Sequence, residues 1–256
     1  MKTNHFPGLL FYLFCAKRDK EPSPVPPIVF TSLMGMIIAL AVDTLGYRRI
    51  RKKNSPALFY FLSSVTFAIF IEQFLNVFYG KNMYGFPPVF KTTTFQIAGI
   101  TLSTLDMVIL AVAVGLLIAL IIIVHGTKLG LAIRTVAIDS RASRLMGINS
   151  AVVITFTFVL AGLLAGVSGV LLGIKYSVYP SLGPSMMVKG FIASVIGGLG
   201  SLGGAIAAAV LLGLIEMMLT YFLGSSITPA LLFGIMLLFL FVRPQGIAGK
   251  LRQDKA

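Results

Sequence analysis

Apolar residues in this chain come in long runs separated by short polar stretches, and no run alternates with the period of two that a half-buried strand would show. Ile28–Gly46, Ala57–Gly80, Leu105–Val124, Ala151–Ile174, Ala205–Leu223 and Ile227–Val242 each read as a helix suited to a bilayer core about 30 Å thick. Tyr176–Gly204 departs from the pattern. It opens with Pro180, Gly183 and Pro184 and closes on a glycine-rich run from Gly197 to Gly204. Its apolar stretch from Phe191 is about ten residues, too few for a straight span. A short or broken helix near 188–204, followed by a glycine turn, is therefore expected. Irregular backbone at membrane depth is tolerated only where protein or a water-filled cavity surrounds it, which places this segment centrally. The expected fold class is all-α, a polytopic transmembrane helical bundle of about six spans plus that short or broken helix.

Composition agrees with lipid as the solvent. The chain has 256 residues, 57% of them hydrophobic and 11% charged, with a mean hydropathy of +0.96. A soluble core would have to hide several helices that are apolar all round. The formal net charge of +13 raises nucleic acid as a partner, but the basic residues sit between the spans. Arg48, Arg49, Arg51, Lys52 and Lys53 follow the first span; Lys128, Arg134, Arg141 and Arg144 lie in the loop 127–149; Arg243, Lys250, Arg252 and Lys255 follow the last span. The alternating segments carry only Lys81 and Lys91, and Lys175 and Lys189. That asymmetry is the positive-inside pattern and puts the basic loops and the C-terminus in the cytoplasm, with no nucleic acid implied. One cysteine, Cys15, and two distant histidines, His5 and His125, supply neither a disulfide nor a metal centre, and no cofactor is expected. The domain plan is an irregular or interfacial segment 1–27, a transmembrane domain 28–249, and a cytoplasmic tail 250–256.

Within the fourth span, Gly162, Gly166, Gly169 and Gly173 recur at helical spacing and share one face, a pattern that lets helices pack closely. Gly166-Val167-Ser168-Gly169 also resembles the nucleophile motif of rhomboid-type intramembrane proteases. No histidine follows His125 to act as its base, so catalysis is not expected. Asp43 and Asp106 lie near span ends and are expected to reach the interface, whereas Glu72, beside Gln73, and Glu216 lie deeper. Glu72, Gln73, Gly198 and Gly200 are the candidates for lining a translocation pathway, on polarity and broken backbone.

In the loop 127–149, Asp139 is a candidate N-cap and Gly147 a candidate stop for a two-turn helix Ser140–Met146. Ala142, Leu145 and Met146 share one of its faces and Arg141 and Arg144 another, and so short a helix needs a partner to hold it. Here a family resemblance becomes specific. Thr127-Lys128-Leu129-Gly130, Arg134, Ala137-Ile138-Asp139, Ala142 and Leu145-Met146-Gly147-Ile148-Asn149 resemble the coupling loop of branched-chain amino-acid ABC transporter permeases. Ala161-Gly162, Ala165-Gly166, Gly169-Val170-Leu171, Gly190-Phe191, the run Gly197 to Gly204, and Val242-Arg243-Pro244-Gln245-Gly246 follow in that family's order.

The resemblance implies a permease subunit of an ATP-driven importer in the plasma (inner) membrane, working by alternating access on branched-chain amino acids. Its implied partners are ATPase subunits, a second permease subunit in a homo- or heterodimer, an external substrate-binding protein and the lipid bilayer. Asp139, Arg141, Ala142, Arg144, Leu145, Met146 and Gly147 are its implied ATPase-coupling residues, with Arg141 standing where the general docking motif has Glu. Members usually begin with further apolar spans holding an Asn-Phe-Ala-His-like stretch, which Met1–Val25 lacks, so a divergent or shortened front end is expected. A simple-sugar ABC permease, an ion-coupled secondary transporter and a non-transporting membrane fragment remain alternatives. No G-x-x-x-x-G-K-[ST] motif occurs, so ATP hydrolysis is expected on a separate chain.

Overall fold

A computed structural model describes residues 25–52, 57–80, 94–97, 100–198, 200–243 and 246–247. The segment 1–24 and the tail 248–256 lie outside them. The chain divides into two compact units, 1–180 and 181–256, each with its own packing.

The first unit begins with α1 (Val25–Val42), whose first turn contains Pro26 and Pro27. Proline is tolerated there because the first N–H groups of a helix have no intrahelical acceptor, so Val25–Pro27 belong to the helix and not to an irregular leader. A π-helical turn, Asp43–Tyr47, joins α1 to the short basic α2 (Arg48–Lys52). Then come α3 (Ala57–Tyr79), an antiparallel hairpin of β1 (Thr94–Ile97) and β2 (Ile100–Ser103), and α4 (Thr104–Gly126). The strands pair Thr94 with Ser103 and Ile97 with Ile100, so a small hairpin stands between α3 and α4. Ser103 ends β2 and also caps α4, accepting from Leu105 N. The unit closes with α5 (Lys128–Ile138), α6 (Ser140–Leu145) and α7 (Ser150–Tyr176).

The closest packing in this unit is between α1 and α7, which run antiparallel. Thr31 and Ser32 lie against Gly166, Gly35 and Ala39 against Gly162, and Asp43 against Thr155. Thr31, Gly35, Ala39 and Asp43 recur every four residues and form one ridge of α1. A Cβ built on Gly162 would lie 2.5 Å from Ala39 Cβ, and one on Gly166 2.5 Å from Thr31 O, so only glycine allows this approach. Gly173 is also buried. Gly169 is not part of the contact. It is exposed, and nothing lies within 4 Å of where its Cβ would be, because the glycine-face contact with α1 stops at Gly166. By contrast, α4 buries none of its residues within the chain. A helix apolar all round and uncovered by its own protein is one that meets lipid or neighbouring subunits.

The second unit contains α8 (Leu182–Gly197), α9 (Leu202–Leu223) and α10 (Thr228–Val242). Its core joins Ile192, Ala193, Val195 and Ile196 of α8 to Ala208 and Leu212 of α9 and Leu232 and Met236 of α10. The short helix begins earlier than the sequence suggests and is unbroken. Gly183 and Pro184 fall within its first turn, where proline costs no hydrogen bond. The non-helical backbone lies at residues 177–181, before α8 starts, and at the turn between Gly197 and Leu202, before α9 starts. All six spans expected from the apolar runs are helices; four of these are long and apolar enough to cross a membrane on length and composition alone.

The α1–α7 contact yields a test. Gly166→Ala forces its methyl against the α1 backbone and is expected to cost about 1–3 kcal/mol, as overpacking does. Gly169→Ala should be neutral or slightly stabilising. Thermal melting of the two variants in detergent checks this: equal melting temperatures would mean that Gly166 does not set the helix separation.

Candidate functional site

The loop between α4 and α7 is built from hydrogen bonds that its sequence specifies. Thr127 caps α5, its Oγ1 accepting from Gly130 N at 3.0 Å and donating to Ile123 O at 2.6 Å. Gly130 is required because a side chain there would run into the carbonyl groups of Ile123 and Val124. These two residues therefore fix the corner where the spanning helix α4 turns into the surface helix α5. At the far end of α5, Asp139 N donates to Thr135 O, while Asp139 Oδ1 accepts from Ala142 N at 3.1 Å. One aspartate ends α5 and caps α6.

α6 ends in a Schellman motif. Gly147 has φ +81°, its N–H donates to Arg144 O, and Ile148 N donates to Ser143 O. Ser143 is fully buried and donates to Asp139 O at 2.6 Å, and Ser150 Oγ, at the start of α7, donates to Ser140 O. The helix is thus pinned on its Ser143 side. Its opposite side is free: Ala142 is exposed, Leu145 is 91% exposed and Met146 64%. Arg144 is exposed and donates from Nε to Ser140 O. The structure gathers Asp139, Ala142, Arg144, Leu145, Met146 and Gly147 into one projecting turn with an uncovered apolar face.

A second cluster lies at the π-helical turn. The extra residue of a π turn rotates Asp43 inward, where it is 1% exposed instead of reaching the interface. Its carboxylate pairs with Arg51 and accepts from Thr155 Oγ1 of α7 at 2.6 Å. Gly46 packs against the Phe67 ring of α3, and the Tyr47 ring lies 6.0 Å from that of Tyr60 and 4.9 Å from that of Phe158. One five-residue turn therefore touches both α3 and α7. Arg51 and Thr155 were not legible as its partners, since one of two threonines in an apolar span and one arginine among five basic residues carry no local signal.

Ion pairs hold two other positions. Asp106 and Lys175 pair at 2.8 Å with side chains 47% and 41% exposed, a surface link between the start of α4 and the end of α7 that contributes little stability. In the second unit Lys189 of α8 pairs with Glu216 of α9. Glu72 is half-buried and Gln73 exposed on α3. Gly198 (φ +102°) is buried and Gly200 (φ +95°) exposed. Gly246 packs directly on Gly198, and Ile247 N donates to Ile196 O at 2.9 Å. The glycine turn and the residues after α10, far apart in sequence, thus meet, and Gly246 has a packing reason to be glycine, because a side chain on it would run into the Gly198 backbone. Among the described residues no group of acids, histidines and cysteines could hold a metal.

A multi-pass membrane bundle with a structured, projecting loop helix does not define an activity by itself, since one architecture serves many. A family model described as "Branched-chain amino acid transport system / permease component" matches residues 13–241. The chain belongs to this family and is one of its membrane-embedded permease components. It is 30% identical over 238 residues to the high-affinity branched-chain amino acid transport system permease protein LivH of Salmonella typhimurium, covering 89% of this chain and 77% of that one. Identity to the Escherichia coli K12 protein of the same name is 30% over 236 residues (90% and 75% covered). The probable branched-chain amino acid transport permease protein LivH of Methanocaldococcus jannaschii is 27% identical over 237 residues (87% and 73%). No solved structure matches the chain.

Removing Asp43 would leave Arg51 mostly buried without its counter-charge. Asp43→Ala is expected to destabilise toward the lower end of the about 3–5 kcal/mol typical of a broken buried pair, because Arg51 keeps some contact with solvent. Thr155→Val, which removes one hydrogen bond, should cost about 1 kcal/mol. Detergent melting curves give the ranking, and an Asp43→Ala variant as stable as the Thr155→Val variant would show that the carboxylate carries no charge-pairing role.

Proposed function

We propose that this permease component imports branched-chain amino acids across the plasma membrane, driven by ATP hydrolysis on a separate ATPase subunit. The observation that carries the proposal is α6. A six-residue helix in water does not hold itself together. Here it is capped at both ends, anchored by Ser143, and left with Ala142, Leu145 and Met146 uncovered. Such a face fits a cleft on another protein, and the exposed Arg144 beside it favours an acidic rim. The names of the relatives support the substrate class.

In this reading α6 and the basic segments after α1 and α10 face the cytoplasm, as the distribution of Lys and Arg favours. The β1–β2 hairpin then lies outside, on the side from which a separate binding protein would deliver substrate. A second permease subunit would cover part of the unburied apolar surface of α4 and complete the path. The transport domain runs over 28–249, and Glu72 and Gln73 are its candidate path-lining residues on α3. Gly198 and Gly200, at the turn between α8 and α9, are the other two candidates for the path, and their positive φ angles let the chain reverse there.

The test is co-purification of the full chain from membranes with candidate ATPase subunits, beside a variant carrying Ala142→Glu and Leu145→Glu. Both substitutions lie on the exposed face and leave the caps of α6 intact, so the melting temperature should stay unchanged while ATPase capture falls at least about tenfold, as loss of a central apolar anchor does. Equal capture by the two proteins would remove α6 as the docking element. Gly147→Ala gives an independent check. It strains a φ of +81° and should weaken capture less, by about 1 kcal/mol.

A further inference from the structure

The geometry points to the Lys189–Glu216 pair as the place where this permease holds the charged end of a free amino acid during passage. The inference rests on the import reading above and deepens it. Lys189 lies seven residues after the start of α8 and Glu216 seven residues before the end of α9. At the rise of a helix each is about 10 Å from the adjacent helix end, within the depth of a bilayer core. Charges at that depth face protein or water, since exposure to lipid is too costly. Yet the pair is not covered by its own unit: the side chains are 39% and 31% exposed. Its open side therefore faces either a water-filled path or another polypeptide.

The surroundings favour the path. Gly190, next to Lys189, and Gly213, one turn before Glu216, are both exposed, and nothing lies within 4 Å of a Cβ built on either. Room is left beside the charges, whereas α8 and α9 pack tightly through Ile192, Ala193, Ala208 and Leu212. A positive and a negative group held side by side, with one face open, complement the α-carboxylate and α-ammonium of a zwitterion. The Lys189 ammonium donates to the carboxylate and the substrate ammonium donates to Glu216. With no substrate present, the two residues neutralise each other, so the unoccupied path carries no bare charge. Each exchange replaces one charge-assisted contact by another of the same kind.

The experiment uses the complete transporter reconstituted in vesicles and measures uptake of labelled leucine as a function of concentration. Variants are Lys189→Met with Glu216→Gln, which is neutral, and Lys189→Glu with Glu216→Lys, which restores an ion pair with reversed polarity. Melting temperature and ATPase capture are followed in parallel. If the pair holds the zwitterion, both variants lower the rate of leucine uptake at saturating leucine by at least about tenfold, and the reversed pair does not restore uptake even though it restores stability. Recovery of uptake by the reversed pair, or normal uptake by the neutral one, would show a purely structural contact and overturn the inference while leaving the import reading intact. If the unaltered chain captures ATPase but transports no leucine, the import reading fails and the inference falls with it.

Discussion

The approach of α1 to α7 is the constraint on which the first unit depends. In lipid two apolar helices gain nothing by hiding from the solvent, so association must come from close backbone contact and from polar groups that find each other. The sequence supplies both along one line. Gly35, Gly162 and Gly166 remove side chains where the backbones meet, and Asp43, Thr155 and Arg51 supply a buried polar lock at one end. Neither half is sufficient. Small residues without the lock would permit sliding, and a buried carboxylate without close packing would be reached by water.

The loop helix α6 draws its order from the same unit. Its first residue is tied to Ser150 at the start of α7, and the lock at Thr155 follows little more than one turn later. Between them lies continuous helix capped by Asn149, whose side chain accepts from Ala151 N and Val152 N. A displacement of α6 therefore reaches the clamped end of the α1–α7 pair through a short path with no flexible joint of its own. The two helices respond to such a load as one strut.

Much of this was legible in the sequence because lipid removes choices. A backbone that cannot bond to water must be helical, so the apolar runs gave the spans, and Asp139 and Gly147 gave both ends of α6 from cap chemistry alone. What was not legible depended on distant partners. Asp43 sits near a span end and was expected to reach the interface; only the π turn, which has no sequence signature, turns it inward. Gly169 shares a helical face with Gly162 and Gly166, but periodicity does not say where a neighbouring helix stops following that face. Pro184 suggested irregular chain because proline breaks helices in their interior, and its harmless place in a first turn is known only once the start of α8 is fixed. Ser143 is small, polar and unremarkable in the sequence, yet it fixes which side of α6 is buried.

The meeting of Gly246 with Gly197 and Gly198 has a consequence for motion in the second unit. Together with the bond from Ile247 N to Ile196 O, it fastens the end of the last helix to the end of the first, so that α8, α9 and α10 form a closed circuit. Sliding α10 along α8 by even a fraction of a turn would drive a backbone into a neighbouring glycine. The low-cost movements left to this unit are those of a single block that tilts or rotates whole, keeping its internal register from one end of its stroke to the other.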